Sequence, residues 1–137
     1  KRITLFIPVL NEIDGAKIIM PRVKKDWVDE IIVIDGNSTD GTREYFETHG
    51  YSIYQQKNKN RGAIGAWWEG FELATGDIII PFSPDGNSIP EVIPQLISKI
   101  NDIKIYFPVF IVLLHNEHFF NLMIPSSLKS IEVHTAT

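Results

Sequence analysis

The sequence contains no cysteine, which excludes disulfides, thiol nucleophiles and Cys-ligated zinc from this chain. Basic residues are also few, since 13 Lys and Arg face 17 Asp and Glu and leave a formal net charge of -4. A protein that binds DNA or RNA needs a basic surface to neutralise the phosphates. The composition therefore predicts that nucleic acid is not a partner.

Long apolar runs are missing as well. A membrane-spanning helix needs about 18 or more consecutive apolar residues, and the nearest approach, Ile105 to Leu114, is short and contains Pro108. That run is typical of a buried strand, and peripheral contact with a membrane stays open. The chain starts in a strand-like segment without a signal-peptide pattern. We therefore expect a cytoplasmic protein, with the cytoplasmic face of the membrane as the alternative location.

What the sequence does contain is a regular alternation of strand-like and helix-like segments. Apolar, β-branched runs cover residues 3–7, 31–34, 51–55 and 78–80, and helical patterns cover residues 12–23, 42–49, 61–76 and 89–100. Asn11 is expected to cap the first of these helices. This order, with short connections, predicts an α/β fold of three α/β/α layers around a mainly parallel, doubly wound sheet.

The last part of the chain has a different character. Residues 101–137 contain no glycine and show no clean alternation, apart from a strand expected around Ile103–Leu114. A chain of 137 residues is expected to form one domain. We therefore assign residues 1–100 to its regular part and residues 101–137 to a divergent or truncated C-terminal segment of the same domain.

In an open parallel sheet, ligands bind beyond the carboxyl ends of the strands, near the point where the strand order reverses. Four segments that follow the predicted strands are expected to converge on one edge of the sheet: Pro8–Glu12, Asp35–Asp40, Lys57–Gly65 and Ser83–Asn87. Asp35 ends the second strand, where a carboxylate can accept hydrogen bonds from a ribose hydroxyl or a base N–H. The alternative is that Asp35 and Ser38 only make turn hydrogen bonds and that Asp40 stabilises the positive end of the next helix.

Asp85 and Asn87 follow the fourth strand at alternate positions. Carboxylate and amide oxygens are the ligands that Mg²⁺ and Mn²⁺ prefer, and such an ion can stabilise the charge of a diphosphate. The alternative is an ordinary β-turn over Pro84–Asn87, because Pro, Asp, Gly and Asn all favour turns. The residues themselves leave both interpretations open.

The start of the third predicted helix offers a second group for phosphates. Arg61 and Gly62 can place a cation and backbone N–H groups near a phosphate at the amino end of that helix. The segment matches neither the Walker motif nor the dinucleotide fingerprint. Trp67 and Trp68 are adjacent on the same helix, so at most one of them can face the core.

Taken in order, these segments resemble the motifs of family 2 glycosyltransferases. Ile7-Pro8-Val9-Leu10-Asn11-Glu12 resembles their strand-one signature, and V-I-D-G-N-S-T-D-G-T at Val33–Thr42 is similar to their strand-two motif, usually V-V-D-D-G-S-T-D-G-T. Asn60–Ala66, followed by A-T-G-D at Ala74–Asp77, resembles their third helix and the approach to strand four. The resemblance covers Ile3 to about Ile100, the N-terminal nucleotide-binding part, and is closest to polyprenyl-phosphate sugar transferases of the dolichol-phosphate mannose synthase type.

The resemblance implies the GT-A fold and an inverting transfer of sugar from a UDP- or GDP-linked donor to an acceptor. A polyprenyl phosphate or a growing glycan is the implied acceptor, and residues 1–100 form the nucleotide-sugar-binding subdomain. The nucleotide-binding positions that it implies are Pro8, Leu10, Glu12, Val33, Asp35, Arg61, Gly62, Ser83 and Pro84. The metal ligands that it implies, for Mg²⁺ or Mn²⁺, are Asp85 and Asn87.

Two departures from the family pattern qualify these implications. Ser83 stands where the family's D-x-D motif has its first aspartate, which removes a charged ligand and weakens metal binding. Gly36 stands where the strand-two motif has its second aspartate, which alters the preference for base or sugar. No general base is assigned. The alternative function is a non-catalytic nucleotide-binding remnant or regulatory module that lacks the acceptor half, and a receiver-type signalling domain fits the motifs less well.

Overall fold

The computed structural model describes residues 2–58, 62–101 and 109–110. Its strands and helices alternate along the chain in this order: β1 (Ile3–Val9), α1 (Ile13–Ile19), β2 (Glu30–Asp35), α2 (Thr42–Thr48), β3 (Ser52–Gln55), α3 (Gly62–Leu73), β4 (Ile78–Pro81), α4 (Val92–Asn101) and β5 (Val109–Phe110). Two short 3₁₀ turns, Met20–Arg22 and Lys25–Trp27, link α1 to β2. The predicted alternation is confirmed.

The five strands form one sheet in the order β3-β2-β1-β4-β5, and every neighbouring pair is parallel. In the pairing of β1 with β2, Val9 lies opposite Asp35, and in the pairing of β1 with β4, Phe6 lies opposite Pro81. The chain adds β2 and β3 on one side of β1 and then crosses to the other side for β4. The strand order therefore reverses between β1 and β4, as a doubly wound sheet requires.

The two faces of β1 explain the three layers. Ile3, Leu5, Ile7 and Val9 point into a core shared with α1, α2 and α4, where Ala16, Phe46 and Ile93 are buried. On the other face Phe6 packs with Ile32, Ile34 and Ile79 against α3. Side chains alternate between the faces because a strand has a period of two. Each buried Ile or Phe contributes about 1.5–3 kcal/mol of burial free energy.

Helix α3 lies very close to the sheet at one point. A Cβ added to Gly70 would lie 2.3 Å from the Phe6 ring, so only glycine allows this approach. Trp67 packs edge-on against the same ring, with the ring centroids 6.0 Å apart. Trp68 is 56% exposed, which confirms that only one of the two adjacent tryptophans faces the core.

Three helix ends differ from the predictions by more than one residue. Helix α3 ends at Leu73 rather than at Gly76, since the backbone N–H of Thr75 bonds to the carboxylate of Glu30 instead of continuing the helix. Helix α1 ends at Ile19 rather than continuing to Val23, because Pro21 cannot donate the backbone hydrogen bond that the next turn needs. Helix α4 begins at Val92 rather than Ile89, since the backbone N–H of Val92 bonds to the carbonyl of Ile89 in a tighter turn. Of the strand expected around residues 103–114, Val109–Phe110 pairs with β4, and the other positions lie outside the described residues.

Candidate functional site

The described parts of the loops that follow β1, β2, β3 and β4 all lie at the carboxyl edge of the sheet, because the four strands are parallel and adjacent. The predicted convergence of these segments on one edge is therefore confirmed. The loops after β1 and β4 flank the position where the strand order reverses, which is where open α/β sheets bind ligands.

Asn11 joins the loop after β1 to the loop after β2. Its backbone N–H donates to the hydroxyl of Ser38 at 2.9 Å, and its side-chain oxygen accepts from the backbone N–H of Thr39 at 2.8 Å. Its φ of 51° lies in the left-handed region, which Asn tolerates better than most residues. The prediction that Asn11 caps α1 was wrong, because its side chain bonds to the neighbouring loop instead. Glu12 occupies the N-cap position, and its side chain makes no capping hydrogen bond.

Asp40 supplies the missing cap from the second loop. One carboxyl oxygen accepts from the backbone N–H of Ile13 at 3.2 Å, and the other accepts from the backbone N–H of Thr42 at 3.0 Å. The pKa of the Asp40 carboxyl is lowered below its ordinary value, because its hydrogen bonds stabilise the charged form. The bond from the Thr42 hydroxyl has the largest effect, and the bonds from these N–H groups add to it. Asp40 therefore serves the amino ends of both α1 and α2, and the interpretation of it as a helix-stabilising residue is confirmed.

Asp35 is only 1% exposed at the end of β2. Its two carboxyl oxygens lie 3.2 and 3.3 Å from the backbone N–H of Ser38, so Asp35 makes the turn hydrogen bond that was one of its two interpretations. Buried carboxylates need such donors. A contact between Asp35 and a nucleoside stays a prediction.

Three carboxylates lie close enough at the carboxyl edge of the sheet to influence one another. Partial burial, followed by the nearby charges of Asp85 and Asp40, raises the pKa of Glu12 above its ordinary value. The three acids come from the loops after β1, β2 and β4, and none of them has an ion pair within 4.0 Å in the described part of the chain. This excess of negative charge would favour a bound cation.

Gly15 brings α1 against the loop after β4. A Cβ at this position would lie 2.2 Å from the carbonyl oxygen of Pro84 and 3.3 Å from the Cα of Asp85, so the helix backbone meets the loop backbone directly. Sequence reasoning missed Gly15. The available signal was a glycine inside the helix predicted over residues 12–23, because glycine there costs about 1 kcal/mol relative to Ala and often marks close packing.

The loop after β4 contains a β-turn, which was the alternative interpretation of this segment. The backbone N–H of Ser88 donates to the carbonyl of Asp85 at 3.2 Å, so the turn covers Asp85–Ser88, one residue later than predicted. A carboxyl oxygen of Asp85 accepts from the backbone N–H of Asn87 at 3.0 Å and from the hydroxyl of Ser88 at 3.2 Å. Asp85 stays partly open, and Asn87 is exposed.

A divalent cation fits the chemistry of these donors, although no group of three or more His, Cys, Asp or Glu side chains is preassembled around a metal position within residues 2–58, 62–101 and 109–110. Asp85 and Asn87 offer carboxylate and amide oxygens, and Glu12 and Asp40 add negative charge nearby. Hard cations such as Mg²⁺ select oxygen ligands of this kind.

The predicted nucleotide-binding residues divide into surface and core positions. Leu10 is 56% exposed, and Pro8, Glu12 and Ser83 are partly exposed at the carboxyl edge. Val33 is fully buried among core residues, and Pro84 is buried with its backbone carbonyl oxygen against Gly15, so their contact with a nucleotide stays a prediction. Gly62 is exposed at the start of α3, and Arg61 lies outside the described residues.

Gln56 is a second residue that sequence reasoning missed. It follows β3 and is 6% exposed, and its amide nitrogen donates to the carbonyls of Asn58 at 2.9 Å and Gly62 at 2.8 Å. Glu69 of α3 holds the same turn, because its carboxylate accepts from the backbone N–H groups of Lys57 and Asn58. These contacts attach the start of α3 to the end of β3.

A cavity of about 200 Å³ lies at the opposite edge of the sheet, at the amino ends of β2 and β3. Lys25 and Tyr51 line it, and the Lys25 ammonium sits 4.3 Å from the centre of the Tyr51 ring. Parallel α/β sheets bind ligands at the carboxyl ends. The cavity is therefore separate from the candidate site.

The reversal between β1 and β4, with loops that carry oxygen donors on either side of it, defines an α/β protein of the GT-A type. The family model described as glycosyl transferase family 2 matches residues 4–131 of the chain, so the protein belongs to this family. The match passes residue 100, where the quoted motifs end, and the division of the domain at that point stays a prediction.

Two bacterial transferases illustrate the relationship. The chain is 31% identical over 114 residues to the undecaprenyl-phosphate 4-deoxy-4-formamido-L-arabinose transferase of Salmonella choleraesuis, with 74% of this chain and 34% of that protein covered. It is 30% identical over 109 residues to the Pectobacterium carotovorum transferase of the same name, with 71% and 33% covered. The chain therefore spans about a third of the length of the curated relatives it matches.

Solved structures give the same fold. Glucosyl-3-phosphoglycerate synthase from Mycobacterium tuberculosis, in complex with Mn²⁺ and uridine-diphosphate-glucose, superimposes with a TM-score of 0.58 at 28% identity. That match covers 73% of this chain and 39% of the other. Within the described ranges of our chain, no helix combines the length and the apolarity that crossing a bilayer requires.

Proposed function

We propose that this chain forms the donor-binding part of an inverting glycosyltransferase, which transfers a sugar from a nucleotide diphosphate sugar to an acceptor. The observation that carries the proposal is that Glu12 and Asp85 lie on the two sides of the reversal between β1 and β4, close enough for Asp85, together with Asp40 from the loop after β2, to act on the charge of Glu12. Family membership and the uridine-diphosphate-glucose complex of the mycobacterial synthase support it. The nucleoside would lie over the ends of β1 to β3, and the diphosphate would point towards Asp85.

Asp85 would hold Mg²⁺ or Mn²⁺ together with the side-chain oxygen of Asn87. The Mn²⁺ in the mycobacterial complex supports a divalent ion in this region of the fold. When bound, such an ion stabilises the negative charge of the departing diphosphate. Ser83 provides a neutral hydroxyl where a second carboxylate would strengthen the site, so we expect weaker metal binding than an intact D-x-D motif gives.

The transfer itself exchanges one bond for another at the anomeric carbon. The acceptor oxygen attacks from the face opposite the nucleoside diphosphate, the bond from the anomeric carbon to the phosphate oxygen breaks, and its electron pair leaves with the diphosphate. The chain's contribution is to hold the donor in this orientation and to place oxygen ligands beside the leaving group. The named substrate of the Salmonella relative supports a polyprenyl phosphate as the acceptor, and peripheral membrane contact would follow from that.

Calorimetry with UDP- and GDP-linked sugars, with and without Mn²⁺ or Mg²⁺, tests the proposal. We expect binding of at least one donor and tighter binding with the metal. Binding without transfer to any acceptor would favour the non-catalytic nucleotide-binding module, which Ser83 in place of the first aspartate of D-x-D supports as the second candidate. Absence of binding to every donor would refute both.

A further inference from the structure

Three residues form a row across the carboxyl edge of the sheet. Leu10, Gly36 and Gln56 each stand one position beyond the last residue of β1, β2 and β3. The backbone N–H of Gly36 donates to the carbonyl of Val9, and that of Gln56 donates to the carbonyl of Asp35, both at 2.8 Å. The ladder of the sheet therefore continues through this row and fixes its spacing.

The hydrogen bonds of Gln56 determine which way its amide points. Carbonyl oxygens can only accept, and the carbonyls of Asn58 and Gly62 both lie within 2.9 Å of one amide atom, so that atom is the nitrogen. The amide oxygen must then face the other way. It lies 3.4 Å from the position that a Cβ of Gly36 would occupy.

The amide oxygen of Gln56 is available for a ligand. Within the described part of the chain, no group donates to it, and every fully buried polar side-chain atom does have a partner. Gln56 as a whole is only 6% exposed. A buried side chain that aims one free acceptor at an open position is typical of a recognition site.

Gly36 provides the open position. Beside it lie the Cβ of Leu10, at 3.5 Å from the added Cβ, and the amide oxygen of Gln56. The exposed Leu10 side chain offers an apolar contact for a planar ring, and no side chain at residue 36 occupies the space above the backbone. The family motif has an aspartate at this position. Gly36 therefore lacks that carboxylate acceptor, and the amide oxygen of Gln56 is the acceptor beside it.

On the basis of the proposed function, we propose that Gln56 determines which nucleobase the donor carries. Its amide oxygen accepts a hydrogen bond from a ring N–H of a base that lies over Gly36. Uracil and guanine carry such a ring N–H, whereas cytosine and adenine have an acceptor nitrogen in the corresponding place. With cytosine or adenine, that ring nitrogen would face the amide oxygen of Gln56 without a hydrogen bond between them. The loss of this bond disfavours the binding of both bases.

Calorimetry with two matched pairs of nucleotides tests the role of Gln56, using UDP against CDP and GDP against ADP with the full 137-residue chain. Whichever of UDP and GDP binds more tightly should bind at least about tenfold more tightly than the other nucleotide of its own pair, CDP or ADP. Gln56→Leu removes the acceptor and should bring the two affinities of that pair within about threefold of each other.

Gln56→Leu also loosens the start of α3, so the ratio within a pair, rather than the affinity, is the decisive measurement. Glu69→Gln is the matched control, because it weakens the same turn from the side of α3. It should lower both affinities of a pair together and keep their ratio. Equal affinities in the unaltered chain, or an unchanged ratio in Gln56→Leu, would overturn the role of Gln56 and leave the proposed function standing. Absence of binding to all four nucleotides would overturn both.

Discussion

The Cα of Gly15 in α1 faces the carbonyl oxygen of Pro84 so closely that an added Cβ would lie 2.2 Å from that oxygen. Helix α1 and the loop after β4 therefore meet backbone to backbone, next to Asp85. The contact places the proposed metal ligand beside the loop that carries Glu12. This packing does not depend on any side-chain hydrogen bond. A single methyl group added at position 15 would therefore displace the loop.

Gly15→Ala tests this contact. Alanine is favoured over glycine inside a helix by about 1 kcal/mol, but the methyl group would overlap backbone atoms that cannot rotate away. We expect a net loss of about 1–3 kcal/mol in the free energy of unfolding, measured by urea denaturation, and weaker binding of the nucleotide diphosphate sugar. Ile18→Ala on the exposed face of the same helix should change stability by less than about 0.5 kcal/mol. A Gly15→Ala variant as stable as the unaltered chain would contradict the contact.

Asn37 adopts a φ of 74° in the loop after β2, at the position where the family motif has glycine. Asn37→Val should reduce the free energy of unfolding by about 1–2 kcal/mol, because a β-branched residue tolerates the left-handed region poorly. Asn37→Gly separates the backbone effect from the hydrogen bond that the Asn37 side chain accepts from Gln55. It should stay within about 1 kcal/mol of the unaltered chain in urea denaturation. If both variants lose the same stability, the side-chain bond rather than the backbone is responsible.

The raised pKa of Glu12 predicts a pH-dependent stability. Ionised Glu12 disfavours the folded state, since its pKa is higher in the folded chain than in the unfolded one. This unfavourable effect is absent below the unfolded pKa, grows as the pH rises towards the folded pKa, and is complete above it. Glu12→Gln should therefore unfold at a higher urea concentration than the unaltered chain at pH 7, and the difference should shrink towards pH 4. Asp14→Asn, an acid on the exposed side of α1, is the control. A difference that grows on acidification would refute the assignment.

The strands and the edge of the sheet that carries the site followed from the sequence. The four strand-like runs of three to five residues end within two positions of the observed ends of β1 to β4, which are Val9, Asp35, Gln55 and Pro81. The order of the motifs then identified the family. Partners across the sheet could not be read in this way. The bonds from Asn11 to Thr39 and from Asp40 to Ile13 join residues 28 and 27 positions apart, and only the register of β1 with β2 brings them together.

Burial of single residues was equally hard to predict. Val33 and Asp35 stand two positions apart on β2 and therefore share a face, but which face a nucleoside would approach is set by where α1, α2 and α3 pack. No sequence motif indicated a role for Gln56. Its importance rests on two carbonyls, from Asn58 and Gly62, that the turn into α3 brings to the same amide nitrogen.

Ser83→Asp tests whether the metal site is weakened rather than lost. Ser83 is partly exposed before the turn Asp85–Ser88, and its side chain makes no hydrogen bond to another described residue, so a carboxylate can replace it without breaking a contact. A second charged oxygen ligand beside Asp85 should tighten Mn²⁺ binding by about tenfold or more in calorimetry. Ser83→Asn, which has nearly the same shape as aspartate but offers only a neutral amide oxygen, should tighten Mn²⁺ binding much less than Ser83→Asp does. If Ser83→Asp tightens metal binding and transfer still does not occur, the missing step lies on the acceptor side. Unchanged metal binding would contradict the placement of the ion beside Ser83.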